Sequence, residues 1–282
     1  MSDIVWYPGH MAKAKRLIKE ALPQIDLVIE LLDARAPVSS RNPDFKSLFG
    51  TKKSITLLTK SNLADRNATD MFVKRMKNRG ETVIPIDCKT NYGIKKLPSA
   101  IREVMSEKLE RDAARGIKKP VRAMVAGITN VGKSTLINTL SGSKKAQAED
   151  RPGVTRHNSW ISVPSLSLEL LDTPGILWHK FDDSRIGTKL ACLGSIKDDI
   201  LDTYSLSVAL IGLIRRKYGD LLCKSYGIEI AEEDTDLEIF EKIARRRGYI
   251  RAKGEIDEDR TSARILDEFR SGKTGQITLD WE

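Results

Sequence analysis

Residues 127–135 read GITNVGKST, a full G-x-x-x-x-G-K-[S/T] run set between an apolar stretch (122–126, RAMVA) and a helix-favouring one (136–140, LINTL). Gly127 and Gly132 let the backbone N–H groups of Asn130, Val131, Gly132, Lys133, Ser134 and Thr135 curl around a β-phosphate. Lys133 adds charge for the β- and γ-phosphates, and Ser134 offers a hydroxyl to magnesium. A chance αβ turn would match part of this pattern, but the strand, loop and helix come in the order the chemistry requires.

A second phosphate element follows. Residues 168–171 (LELL) read as a buried strand that runs into Asp172-Thr173-Pro174-Gly175, a D-x-x-G turn. Asp172 can hold magnesium through its water shell, and the Gly175 N–H can bond a γ-phosphate and lose that bond on hydrolysis. By itself DTPG is an ordinary turn; beside a phosphate loop it reads as a γ-phosphate sensor. Between the two lies RPGVT (151–155), whose Thr155 supplies a candidate switch hydroxyl for the same magnesium.

Base-recognition loops are expected after these motifs, yet they precede them. Residues 54–58 (SITLL) form a short buried run ending in Thr59-Lys60-Ser61-Asn62, and 83–86 (VIPI) another ending in Asp87-Cys88-Lys89. They stand where a GTPase carries NKxD and SAK. Base loops first and phosphate loops last is a circular permutation, which a parallel sheet tolerates because ligands meet the carboxyl ends of its strands whatever their order in the chain.

With these motifs, the strings WYPGHMAKA (6–14), DARAP (33–37), SSRNP (39–43), DTPGILWHKF (172–181) and GSIKDDI (194–200) resemble the circularly permuted GTPases, and among them the ribosome biogenesis GTPase A family. The resemblance covers nearly the whole chain. It implies an α/β fold, a circularly permuted P-loop GTPase domain with a mostly parallel sheet and helices on both faces, followed by a smaller all-α domain. It also implies a cytoplasmic GTP hydrolase that uses Mg2+, stimulated by the ribosomal particle and acting late in assembly of the large ribosomal subunit or its precursor, in contact with rRNA. No membrane or DNA partner is expected.

Where the family has NKxD this chain has TKSN. Thr59 in place of Asn is expected to lose an amide that braces the phosphate loop. Asn62 in place of Asp removes the carboxylate that accepts both guanine N1–H and N2–H, and a donor facing a donor costs about 1–3 kcal/mol. Guanine selectivity should weaken, and a carboxamide suits xanthine better. GTP remains the expected ligand because the Cys88 N–H can still serve guanine O6, and Asp65 is a nearby carboxylate that could substitute.

The residue after D-x-x-G is Ile176, not a water-orienting glutamine. His10 in PGHM is therefore the candidate catalytic group, a base or water-orienting imidazole; the competing reading is RNA contact or a cap on the first helix. His157 and His179 read as solvated loop histidines. Asn130 matches the asparagine of potassium-activated GTPases and could hold K+, while a surface asparagine is the simpler account.

Positioning these groups requires several elements, and the chain is long enough for two domains: 282 residues, expected to divide into 1–177 and 178–282. A basic helix near 11–21 should precede a strand at 27–33. Helices at 69–78 and 93–115 should alternate with the base-loop strands, a strand pair is expected at 159–163 and 167–171, and three helices at 206–217, 237–247 and 261–269. The three cysteines lack paired spacing, which points to a reducing compartment and no zinc site, and no apolar run reaches membrane-spanning length.

The net charge of +9 is uneven: residues 178–282 carry 18 basic and 21 acidic side chains, so the excess lies in the first 177. Lys13, Lys15 and Arg16 crowd the first helix, and Arg245, Arg246 and Arg247 form a basic focus near Tyr249, which could stack on a base. A solvated helix face is the competing reading of each cluster. Two rivals stand beside the GTPase reading: an RNA-binding assembly chaperone whose base site Asn62 has altered, and a P-loop small-molecule kinase. Because the chain passes directly from Gly175 into the second domain, the γ-phosphate sensor is expected to couple GTP to ribosome binding and hydrolysis to release.

Overall fold

A computed structural model of the chain describes residues 8–142, 159–178 and 183–281. These fall into two compact units, one reaching residue 180 and the other beginning at 181.

The first unit is a doubly wound sheet. Its elements are α1 (Pro8–Ala21), β1 (Leu27–Asp33), α2 (Asp44–Phe49), β2 (Lys53–Thr59), α3 (Arg66–Lys77), β3 (Val83–Pro85), α4 (Leu97–Val104), α5 (Ser106–Ala114), β4 (Val121–Gly127), α6 (Lys133–Ser141), β5 (Ser159–Val163) and β6 (Leu168–Asp172). The six strands lie in the order β3-β2-β1-β4-β6-β5, all neighbours parallel except the β5–β6 pair. β1 is buried along nearly its whole length, as a strand covered on both faces must be. On one side Ala14 and Ile18 of α1 and Phe45 of α2 pack with Val28, Met124, Ala126 and Leu171 of the sheet.

Register aligns the functional strand ends. Asp33 pairs with Thr59, Leu31 with Gly127, and Val125 with Asp172, so the three loops that follow β2, β4 and β6 open on one edge of the sheet. The helix expected over 93–115 is two helices. Met105, at φ −101° and ψ 8°, breaks the run, and its side chain is buried while that of Ser106 begins a new helical turn.

The second unit is helical: α7 (Ser184–Cys192), α8 (Thr203–Tyr226), α9 (Asp236–Arg247) and α10 (Glu258–Ser271). α8 kinks at Tyr218 (φ −126°), and α9 opens with a capping box in which Thr235 and Glu238 satisfy each other's backbone N–H groups. Arg270 on α10 donates to the Ala191 and Cys192 carbonyls at the end of α7 and pairs with Asp198, fastening the GSIKDDI segment. No helix among the described residues is long and apolar enough to cross a membrane.

Candidate functional site

The loop between β4 and α6 takes its shape from two left-handed residues, Asn130 (φ 56°) and Gly132 (φ 106°). Glycine adopts that conformation without steric cost and asparagine is among the few side chains that tolerate it, which is why those two types stand there. Lys133, the first residue of α6, folds back over the loop and donates to the Ile128 carbonyl at 2.7 Å and towards Gly127 at 3.4 Å. Its side chain is 7 % exposed. Burial lowers its ammonium pKa to about 8; Asp172 opposes that shift and Lys60 adds to it. Such a lysine is pre-aimed and under-neutralised, a state that an anion relieves.

The next residue meets the D-x-x-G turn. Ser134 Oγ lies 3.5 Å from Asp172 Oδ2. Magnesium takes hard oxygen donors, and a serine hydroxyl beside a buried carboxylate is such a set, so these side chains fit the ion. Gly175 is held over the phosphate loop: a Cβ there would come 2.8 Å from Thr129 N and Cα and 2.9 Å from Lys133 Nζ. No side chain larger than hydrogen fits without moving that backbone. Ile176 N–H donates to the Gly127 carbonyl at 3.3 Å, and Asn42 Nδ2 donates to the Ile176 carbonyl at 3.1 Å.

The base loops approach from β2 and β3. Lys60, also left-handed (φ 55°), donates from Nζ to the Asn130 carbonyl at 2.8 Å and pairs with Asp33 Oδ2 at 3.1 Å. Lys60 and Lys133 thus converge on one loop. Thr59 Oγ1 lies 2.7 Å from the Val131 carbonyl and 3.0 Å from that of Leu32. The expected loss of a brace at Thr59 is therefore corrected, since its buried hydroxyl ties β2 to the phosphate loop. Ser61 N–H donates to the Ile86 carbonyl at 3.1 Å, joining the two base loops. Asp87 turns inward, accepting from Lys89 N, Thr90 N and the Thr90 hydroxyl. The Cys88 thiol, pushed up to about 11 by burial, sits against Thr139 of α6.

Asp65 is not the substitute base acceptor considered from the sequence. It caps α3, accepting from Ala68 N at 2.8 Å, because a helix start leaves its first N–H groups without partners. Asn62 lies exposed on its loop.

Residue spacing alone does not mark one buried ion pair that shapes the site. Arg35 chelates Asp33, with Nε to Oδ1 at 2.9 Å and Nη2 to Oδ2 at 2.8 Å, and the side chains are 1 % and 2 % exposed. Burial alone would raise the Asp33 carboxyl, but Arg35 and Lys60 hold it well below the usual carboxylate range. The signal for it is an aspartate at the carboxyl end of an apolar parallel strand followed two residues later by arginine, inside the DARAP string (33–37).

Thr155, His157 and His179 lie outside the described residues, as does the side chain of His10, whose backbone forms part of the first turn of α1. Lys13 is exposed, Arg16 pairs with Glu20 at 3.5 Å, and Lys15 is bound to Asp44 at 2.5 Å. Arg245, Arg246 and Arg247 are exposed at the end of α9, with Arg247 reaching the Ser225 carbonyl. Tyr249 does not offer a stacking face. It is buried, with Arg260 of α10 4.7 Å over its ring and Arg264 of the same helix hydrogen-bonded to it.

A family model described as 50S ribosome-binding GTPase matches residues 122–216. Ribosome biogenesis GTPase A of Priestia megaterium is 44 % identical over 279 residues, covering 98 % of this chain and 96 % of that protein. The protein of the same name from Bacillus cereus is 41 % identical over 278 residues, covering 98 % and 93 %. The crystal structure of GNP-bound YlqF from T. maritima superposes with a TM-score of 0.64 at 27 % identity, covering 95 % of this chain and 97 % of that one.

Proposed function

This chain belongs to the ribosome biogenesis GTPase A family, and from that footing we propose how its residues divide the work. It hydrolyses GTP and acts in ribosome assembly. Its particle is the large subunit or a precursor, its surface partner is rRNA, and its compartment is the cytoplasm. The GTP form binds and hydrolysis releases it. The observation that carries the site assignment is the convergence of Lys60, Lys133, Ser134, Asp172 and Gly175 on one loop at the carboxyl edge of the sheet.

The amides of Asn130 to Thr135 cradle the phosphates and Lys133 supplies positive charge between them. Ser134 and Thr155 would hold magnesium directly and Asp172 through its water shell, and the ion would supply charge that neutralises the phosphate oxygens. The Gly175 N–H senses the γ-phosphate. Lys60, fixed by Asp33 and Asn130, frames the base together with Ser61, Asn62 and the Asp87-Cys88-Lys89 loop. His10 orients the attacking water in place of the glutamine that Ile176 replaces, and Asn130 offers its side chain to potassium. Residues 1–177 carry this chemistry, while 178–282, with Arg245 to Arg247, join Lys13, Lys15 and Arg16 in meeting RNA phosphates.

Phosphate release from GTP by the full chain, with and without ribosomal particles, tests the reading. Particles should accelerate release without any phosphorylated acceptor, which a kinase would need. His10→Ala should lower turnover by about a hundredfold while GDP affinity stays near its original value. Turnover that is unchanged in the variant removes His10 from the mechanism.

A further inference from the structure

Guanine is told from other purines by its 2-amino group, and the surroundings of the base loops in this chain bear on that discrimination. The inference below rests on the nucleotide-site reading given above. In the segments that frame the base, 59–65 and 87–90, there are two carboxylates. Asp65 is committed to the start of α3 through Ala68 N at 2.8 Å. Asp87 is committed to its own turn through Lys89 N at 3.2 Å, Thr90 N at 3.0 Å and the Thr90 hydroxyl at 2.6 Å. Next to them, Asp33 is chelated by Arg35 and paired with Lys60. Each is spent on holding its loop, and moving any of them to the base would leave a helix end, a turn or a buried arginine unsatisfied.

At the position where a guanine-binding carboxylate would stand, two residues beyond Lys60, the side chain is the exposed Asn62, in a turn closed by Leu63 N–H to the Lys60 carbonyl at 2.9 Å. A carboxylate accepts from both N1–H and the 2-amino group of guanine. A carboxamide has one acceptor and one donor. Against guanine, its Oδ1 takes N1–H and its NH2 faces the 2-amino group, donor to donor. Against a purine with a 2-carbonyl, N1–H meets Oδ1 and O2 meets the NH2, so both bonds are made. Against a purine with only hydrogen at C2, one bond is made and nothing clashes. At the other end of the base, the Cys88 N–H has no acceptor among the described residues and can serve a 6-carbonyl. That same donor faces the 6-amino group of adenine unfavourably, so adenine stays excluded.

We propose that this chain reads its purine through the Asn62 carboxamide, so that 6-oxopurine nucleotides with a 2-carbonyl or an unsubstituted C2, xanthosine and inosine phosphates, are accepted as well as guanosine phosphates. Asn62 is a specificity-determining residue, and Asp65 and Asp87 do not compensate for it.

Calorimetric titration of the full chain and of Asn62→Asp with GDP, XDP, IDP and ADP tests this, with phosphate release from the matching triphosphates as a second readout. In the unaltered chain XDP and IDP should bind within about tenfold of GDP or more tightly, and ADP more weakly than all three. Asn62→Asp should tighten GDP by about tenfold or more and weaken XDP, because the second acceptor is restored. A GDP preference above tenfold in the unaltered chain overturns the proposal and leaves the GTPase reading standing. So does an Asn62→Asp variant in which the order of the nucleotides is unchanged. Failure of both proteins to bind any of the four removes the nucleotide-site reading itself, and this inference with it.

Discussion

The Thr59 hydroxyl stands 2.7 Å from the Val131 carbonyl across 72 residues of chain. That one contact joins the end of a base-loop strand to the middle of the phosphate loop. It sits beside a second contact of the same kind, Lys60 Nζ to the Asn130 carbonyl at 2.8 Å. The two halves of the nucleotide site are thus held together by protein alone.

Thr59→Val keeps the shape and removes the hydroxyl. Leaving the buried Val131 carbonyl without its donor should cost about 1–3 kcal/mol of stability. Nucleotide affinity should fall with it, while Thr59→Asn should recover both. Urea unfolding and GDP titration read the two effects, and equal midpoints for Thr59→Val and the unaltered protein would refute the brace.

Asp33→Asn leaves Arg35 buried without its counter-charge and should destabilise the first unit by about 3–5 kcal/mol. The pH dependence carries its own sign. The folded-state pKa of Asp33 is depressed below its ordinary 3.8, so its stabilisation is whole above that value and is lost as pH falls beneath it. Urea midpoints followed from about pH 5 downward should decline less steeply in Asp33→Asn than in the unaltered chain. Parallel profiles would show that the pair does not contribute.

Gly175→Ala places a methyl against the backbone of Thr129 and the Lys133 ammonium. Turnover should fall sharply while the circular dichroism spectrum and GDP binding change little, since the clash lies where a γ-phosphate would be sensed. A variant with undiminished phosphate release would mean that the turn moves freely.

Lys133 should report ligand binding through protons. Burial holds its pKa at about 8 in the folded chain against an ordinary 10.5, so between those values the unfolded chain binds more protons and stability rises with pH. A bound polyphosphate favours the charged ammonium and reverses the shift. GDP binding at about pH 8.5 should therefore take up a proton, seen as a difference in heat between buffers of unlike ionisation enthalpy. Identical heats in both buffers would contradict it.

Most strand positions were legible because apolar runs ending in Asp, Thr or Gly leave few alternatives in a parallel sheet; β1 runs over 27–33 as the sequence predicts. Helix α2 was missed because six residues give too little periodicity. The joined helix over 93–115 was misread because the amphipathic pattern continues through Met105 while the backbone does not. At the site, spacing points to Lys133, Ser134 and Asp172, but it misjudges Thr59, whose partner is a carbonyl far along the chain, and Asp65, because the helix expected from 69 begins at Arg66 and takes Asp65 as its cap.

The sequence by itself determined the motifs, their permuted order and the absence of a carboxylate at Asn62, because these are matters of residue type and local spacing. Only the tertiary structure decided that Asp33 is shared with Lys60 and that Thr59 braces Val131. Those partnerships follow from the β3-β2-β1-β4-β6-β5 strand order, which brings Asp33 beside Thr59 and β1 beside β4. Hydrogen bonds and ion pairs act over a few ångströms of space, and spacing along a chain does not record which strand ends become neighbours.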